Sequence, residues 1–291
     1  MNHRTMEHNF ALVIFGNLGE SAEESLKSIM ALNPLRICIV GDASGQKWIN
    51  ELTPVTKRDC LCFHDLPAEA LRSLELDNSD KTSYYNFGHK RFIRLTVFKW
   101  FLLHDALSKH PSQAQIIFSD LDVVWLHRPP LDIFAEERYV SCFAAIQDDT
   151  PTSQINSHFC TGIMLWKNTL DSLQVLDILY QNQLKNLLSG NLIPDEPTFN
   201  RWYLSSSAQN QIKPLDPESY VIGHKFFHLL SSRGLKFSSV IAFHANYVIG
   251  EHAKFQRLRS VNMRQHRNWK WFVIFTYQVL IKLKSKIGLG L

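Results

Sequence analysis

Residues 115–125 read Gln-Ile-Ile-Phe-Ser-Asp120-Leu-Asp122-Val-Val-Trp125, an apolar, β-branched run carrying two carboxylates two residues apart. A run of this kind predicts a buried strand. Working outward, residues 10–17 (FALVIFGN) and 35–42 (LRICIVGD) share that character, and each ends in Asn or Asp beside a Gly. Between them, Ser21-Ala-Glu-Glu24 has the pattern of a helix-capping box, in which the hydroxyl accepts an end N–H and the Glu answers it. Leu26, Ile29, Met30 and Ala31 continue at helical spacing. Strand, helix and strand joined by short loops make a βαβ unit, which requires a parallel sheet with helices on its faces.

Downstream, Leu95, Phe98, Leu102 and Ala106 predict one amphipathic helix from about Tyr85 to His110, feeding the Asp-bearing strand. Residues 140–146 (VSCFAAI) and 160–167 (CTGIMLWK) predict two more strands. Leu170, Leu173, Leu176, Leu179, Leu184 and Leu187 mark a helix capped by Asn168 or Thr169. With 45% hydrophobic and 20% charged residues over 291 positions, disorder and fibrous repeats are excluded. One α/β domain of that length buries roughly three quarters of its unfolded surface. The chain therefore divides into a body over 1–250 and a helical tail over 251–291.

Charge separates along the same line. After Glu251 there is no acidic residue, whereas Lys254, Arg257, Arg259, Arg264, Arg267, Lys270, Lys282, Lys284 and Lys286 are all basic. An acidic body thus carries a basic tail, a segregation suited to a polyanionic surface. The stretch Trp269–Ile281 adds aromatics, but its uncharged part is too short to span a bilayer. It is expected either to lie in an anionic headgroup layer or to pack on the body as a last core helix. No nucleic-acid partner is expected, because the body is acidic and the tail turns apolar. Five cysteines are too few and oddly numbered for a disulfide scaffold, and none has zinc-type paired spacing; a reducing, cytoplasmic setting is expected, with peripheral contact to the membrane face through the tail.

Ligands of open α/β sheets gather at the carboxyl ends of strands, where Asp120 and Asp122 fall. Two hard oxygen ligands suit Mn²⁺ or Mg²⁺, which completes its shell with water and phosphate. The competing reading is a pair of solvated loop aspartates. Further on, Val240-Ile-Ala-Phe243 leads into His244-Ala-Asn246, followed by Gly250 and Lys254. His244 is either a metal ligand or a hydrogen-bonded structural histidine. Gly250 would admit a ligand close to the backbone, and Lys254 offers a point charge for phosphate. Asp195 and Glu196 either act on a sugar or acceptor hydroxyl or simply favour a helix N-terminus. Lys99, in the apolar run Leu95–Leu103, either snorkels or meets a diphosphate.

Taken together these motifs resemble the nucleotide-diphospho-sugar transferases of GT-A fold that include cell-wall xylosyl- and arabinosyltransferases. Lys99 precedes Asp120-x-Asp122-Val-Val-Trp125 with Pro129 after it; Thr161-Gly162, then Asp195 with Phe199 and Asn200, then His244-x-Asn246 with Gly250 and Lys254 follow in the family's order. The match runs over roughly residues 85–255. Cys160 stands where the family has Asn, and Glu196 where it has Gln, so the family's sugar preference does not carry over. The resemblance implies a single GT-A-like, Rossmann-type domain with a mainly parallel central sheet, and an enzyme moving sugar from a UDP-sugar to a glycan or lipid-linked hydroxyl. It implies Mn²⁺ or Mg²⁺ on Asp120, Asp122 and His244, the diphosphate near Lys99, Gly250 and Lys254, and catalysis at Asp195 and Glu196 with anomeric retention.

Two other classes compete. Asp120-Leu-Asp122-Val-Val fits the nucleophile strand of haloacid-dehalogenase-type phosphatases, though that strand normally opens the chain and here several elements precede it. A non-catalytic sugar-binding protein would use the same pocket without turnover. Sugar-nucleotide pyrophosphorylases need a basic Gly-rich loop, which Gly16-Asn-Leu-Gly19 lacks.

Overall fold

The computed structural model describes residues 8–16, 18–75, 89–110, 115–134, 137, 139–146, 159–204, 210–223, 239–246 and 251–265. Its centre is a seven-stranded sheet built from β1 (Asn9–Ile14), β2 (Arg36–Gly41), β3 (Leu61–Phe63), β4 (Gln115–Ser119), β6 (Cys142–Ile146), β7 (Phe159–Lys167) and β8 (Ile212–Pro214). The strand order is β3-β2-β1-β4-β7-β6-β8. The first four strands run parallel, and β7 enters antiparallel to both β4 and β6. A mainly parallel sheet is thus present as expected. A smaller sheet of β5 (Val123–Trp125), β10 (Ala242–His244) and β9 (Tyr220–Ile222), in that order, sits against it.

Helices cover both faces, and this explains why the strands are continuously apolar rather than alternating. Successive side chains of one strand point to opposite faces. Phe10, Leu12 and Ile14 pack under α1 (Glu20–Ala31) and α2 (Ala43–Leu52), with Leu26, Ile29, Trp48 and Ile49 above them. Ala11, Cys38, Val40, Ile116 and Phe118 face the other way, toward α5 (Val97–Lys109) and α6 (Leu170–Leu188), which bury Trp100, Leu103, Leu107, Leu176 and Leu179. Gly41 is needed at the end of β2, since a Cβ there would lie 1.9 Å from the Ile14 carbonyl oxygen. Around this body lie α3 (Ala68–Glu75), α4 (Lys90–Leu95), α7 (Asp195–Tyr203) and α8 (Glu251–Gln265).

Three local expectations are corrected, and one left open between two residues is resolved. The strand expected over 115–125 is two strands: β4 ends at Ser119, the chain turns through Asp120–Asp122, and β5 joins the small sheet by pairing with β10. Trp125 accounts for the switch: its backbone N–H donates to Ser28 Oγ at 3.0 Å and its indole to Ser119 Oγ at 2.9 Å, so the turn is tied back onto α1 and β4. The helix expected to run unbroken through Leu95 is interrupted at Thr96, whose hydroxyl donates to the Ile93 carbonyl at 2.7 Å and accepts from Gln183 at 2.7 Å. Such back-bonding competes with the helical ladder. Third, the capping box does not form: Gly19 is the N-cap of α1, without a side-chain bond. Lastly, of the two candidate caps of α6, Thr169 caps it, accepting from Ser172 N–H at 3.2 Å.

The first part of the expected tail is α8, whose Leu258 and Val261 are buried with Val124, Val221 and Phe243. Asn262 of α8 donates to Glu24 of α1 at 3.0 Å. Trp269–Ile281 lies outside the described residues. No described helix is long and apolar enough to cross a membrane.

Candidate active site

Asp120 and Asp122 sit in the turn that leaves the carboxyl end of β4, and β10 is the strand laid beside that turn. His244 pairs in register with Val123, and the Ala245 N–H donates to the Asp122 carbonyl at 2.9 Å. That register brings a residue 122 positions downstream onto the carboxylates: His244 Nε2 lies 2.9 Å from Asp122 Oδ1 and 3.9 Å from Asp120 Oδ2. One ligating atom from each of the three residues falls within 4.8 Å of the others. Lys254 reaches in from α8 and donates to Asp122 Oδ2 at 2.6 Å.

Behind these groups Lys99 is buried, so it does not snorkel to solvent. Its ammonium forms an ion pair with Asp195, lies 3.6 Å from Asp120 Oδ1, and donates to the Thr161 carbonyl at 3.0 Å. The Thr161 hydroxyl donates to Asp195 at 2.6 Å. Asp195 opens α7, where a carboxylate favours the helix dipole, as the helix-start reading of this residue expects. Asn200, one turn on, accepts from the Phe159 N–H and donates to the Phe159 carbonyl, each at 2.8 Å, which fixes α7 to β7.

The charges divide unequally. Burial opposes ionisation of Asp122, but Lys254 and His244 outweigh it and hold that carboxyl well below the usual carboxylate range. Asp120 moves the other way, because burial together with Asp122 and Asp195 outweighs Lys99 and His244. Burial disfavours the imidazolium of His244, yet Asp122 and Cys160 push its pKa well above the ordinary value. Lys99 is likewise raised by Asp120 and Asp195 against its burial.

Asp120, Asp122, His244, Lys254, Lys99 and Asp195 therefore converge, as the sequence motifs imply. Glu196 is half-buried, and its carbonyl accepts from Asn200 at 3.0 Å. Gly250 lies outside the described residues. Two positions gain a role that spacing did not reveal. Cys160 Sγ lies 3.4 Å from His244 Nδ1 and accepts from Asn246 at 3.6 Å, so it backs the imidazole from the side away from the carboxylates. At Gly162 a Cβ would lie 2.2 Å from His244 Cε1 and 2.7 Å from Asp120 Oδ2. Only glycine leaves those two side chains room to meet.

A family model described as nucleotide-diphospho-sugar transferase matches residues 56–258, more than half of the chain. No curated protein matches it. Among solved structures, mouse xyloside xylosyltransferase 1 in its apo form aligns with a TM-score of 0.50 and 13% identity, over 84% of this chain and 99% of that one. The galactosyltransferase LgtC in complex with donor and acceptor sugar analogs aligns at 0.55 and 10%, over 87% and 94%. A glycosyltransferase involved in glycosylation of the major capsid of PBCV-1 aligns at 0.51 and 11%, over 87% and 98%. At such identities the likeness is one of fold.

Proposed function

Since the chain belongs to the nucleotide-diphospho-sugar transferase family and has the GT-A fold of glycosyltransferases, we propose that it is a metal-dependent enzyme transferring sugar from a UDP-sugar to a hydroxyl of a glycan or glycolipid, with retention. The convergence of Asp120, Asp122 and His244 at the carboxyl end of β4 carries this reading. Two carboxylate oxygens and an imidazole nitrogen are a donor set for Mn²⁺ or Mg²⁺ with positions left for phosphate oxygens and water. Bound there, the cation would supply charge stabilisation for the departing diphosphate.

The protein's own groups do the rest. Lys254 pairs with Asp122, and in this reading it would hold the diphosphate beside the proposed metal ligands. Lys99 ties Asp120 to Asp195 and so fixes the carboxylates before substrate arrives, the preorganisation on which electrostatic catalysis depends. Asp195 and the adjacent Glu196 lie on the acceptor side of this reading. The phosphatase alternative is disfavoured: β4 is the fourth strand in chain order rather than the first, and the family match is to sugar transferases.

Purified protein presented with a panel of sugar nucleotides should release nucleoside diphosphate from one of them in a Mn²⁺-dependent way, even without acceptor. Nucleotide binding without any release would identify a sugar-nucleotide binder instead. Release of phosphate from a generic phosphate ester, with every sugar nucleotide left intact, would restore the phosphatase.

A further inference from the structure

On the face of the sheet covered by α5, at the opposite end of that helix from Lys99, four further side chains converge. Cys38 of β2 and Cys62 of β3 are direct register partners in the parallel ladder, so their side chains leave the sheet on the same face. His64 follows Cys62 by two residues and returns to that face by the strand period, its N–H bonded to the Ile39 carbonyl at 2.8 Å. His110, the C-cap of α5, closes the group from above. Cys62 Sγ lies 3.8 Å from His64 Nε2 and 3.7 Å from His110 Nε2, and one ligating atom from each of the four residues falls within 4.8 Å of all the others.

We propose that Cys38, Cys62, His64 and His110 form a structural zinc site. A tetrahedral zinc ion with Zn–S of about 2.3 Å and Zn–N of about 2.0–2.1 Å sets its sulfur and nitrogen ligands about 3.6 Å apart, close to the separations found. The support behind the ligands is that of a metal centre. His64 Nδ1 lies 2.6 Å from Asp105 Oδ2, and Asp105 also accepts from Lys109 at 2.8 Å. A carboxylate on Nδ1 fixes the tautomer whose Nε2 lone pair faces the ion. Four protein ligands leave no open position, which marks a structural rather than a catalytic ion. Its place explains its use. β3 is a three-residue strand at the edge of the sheet, and the ion joins it to β2 and to the end of α5. His110 lies eleven residues beyond Lys99 in sequence, about 16 Å along the helix axis, so the centre is separate from Asp120 and Asp122.

The full chain, purified without chelator, should retain about one zinc ion per molecule by elemental analysis. Asp122→Ala should keep that ion, which separates it from the ion of the proposed active site. Cys62→Ser and the half-exposed His110→Ala should each lose it, and Asp105→Ala should weaken zinc binding about 10- to 100-fold in a chelator competition. Cobalt exchanged into the site should show thiolate charge-transfer absorption that survives Cys160→Ser, since that cysteine touches His244. Circular dichroism identifies any variant that does not fold; His110→Ala, at a helix end, remains informative if Cys62→Ser fails. The proposal is overturned if the folded protein neither retains nor takes up zinc. Unchanged zinc content in folded Cys62→Ser and His110→Ala overturns it too, as does a Cys38–Cys62 disulfide in the native protein by mass spectrometry.

Discussion

Asp120 and Asp122 differ in their neighbours, and substitutions should report the difference. Asp122 holds both Lys254 and His244, so Asp122→Ala removes a proposed metal ligand together with the carboxylate that both side chains contact. Metal-dependent turnover should fall about 10²–10³-fold, the cost of one transition-state charge contact of about 3–4 kcal/mol. Asp120→Asn keeps the shape and should lose comparable turnover while its melting temperature stays near wild type. Turnover close to wild type in either variant would reject the metal assignment. Asp195 is bound to buried Lys99, so Asp195→Ala leaves a buried ammonium undercompensated and should cost about 3–5 kcal/mol in urea unfolding. Glu196 is half-buried beside it, and Glu196→Gln, a nearly isosteric change, should alter turnover more than stability. Equal stability losses in the two would place both residues in the structural part of the helix start.

Among the elements, β7 and α8 matter most for the site although neither carries an expected metal ligand. Gly162 of β7 is the floor against which Asp120 and His244 meet, and its carbonyl accepts from the Asp120 N–H at 2.8 Å. Gly162→Ala overpacks that floor, so about 1–3 kcal/mol of stability should be lost. Isothermal titration should show Mn²⁺ binding weakened as in His244→Ala; an unchanged titration would mean that the two ligands do not act together. Lys254 reaches Asp122 because Leu258 and Val261 anchor α8 on the small sheet. Leu258→Ala should cost about 2–5 kcal/mol through the cavity it leaves and lower turnover together with stability.

Across the whole molecule the basic C-terminal region is not uniform. Lys254 faces inward to Asp122, and burial lowers the pKa of Arg257, so part of that charge serves the body rather than a distant surface. For the residues beyond α8, the membrane-contact reading expects truncation after Asn268 to leave a folded, active enzyme that no longer sediments with anionic vesicles, since each base near such a surface contributes about 1 kcal/mol. An unfolded truncate would show instead that Trp269–Ile281 completes the core.

What the sequence determined by itself is the set of properties that depend on near neighbours. Apolar runs located β1, β2, β4, β6 and β7, and leucine spacing located α6, because burial on a face imprints a short period on the chain. The order of the motifs around Asp120, Asp195 and His244 carried the family, since each is a short signature at the end of one element. Only the tertiary structure decided which distant residues meet. The break between β4 and β5 follows from pairing with β10, which no local period reports. In sequence Lys99 is open between snorkelling and meeting a diphosphate, and its ion pair with Asp195 depends on the packing of α7 beside it. Cys38 and Cys62 come from two strands, His64 from just past the second and His110 from the end of a helix, so their spacing along the chain bears no mark of the proposed zinc site. Register between strands and the packing of helices across them are non-local, and they alone bring such groups within ligating distance.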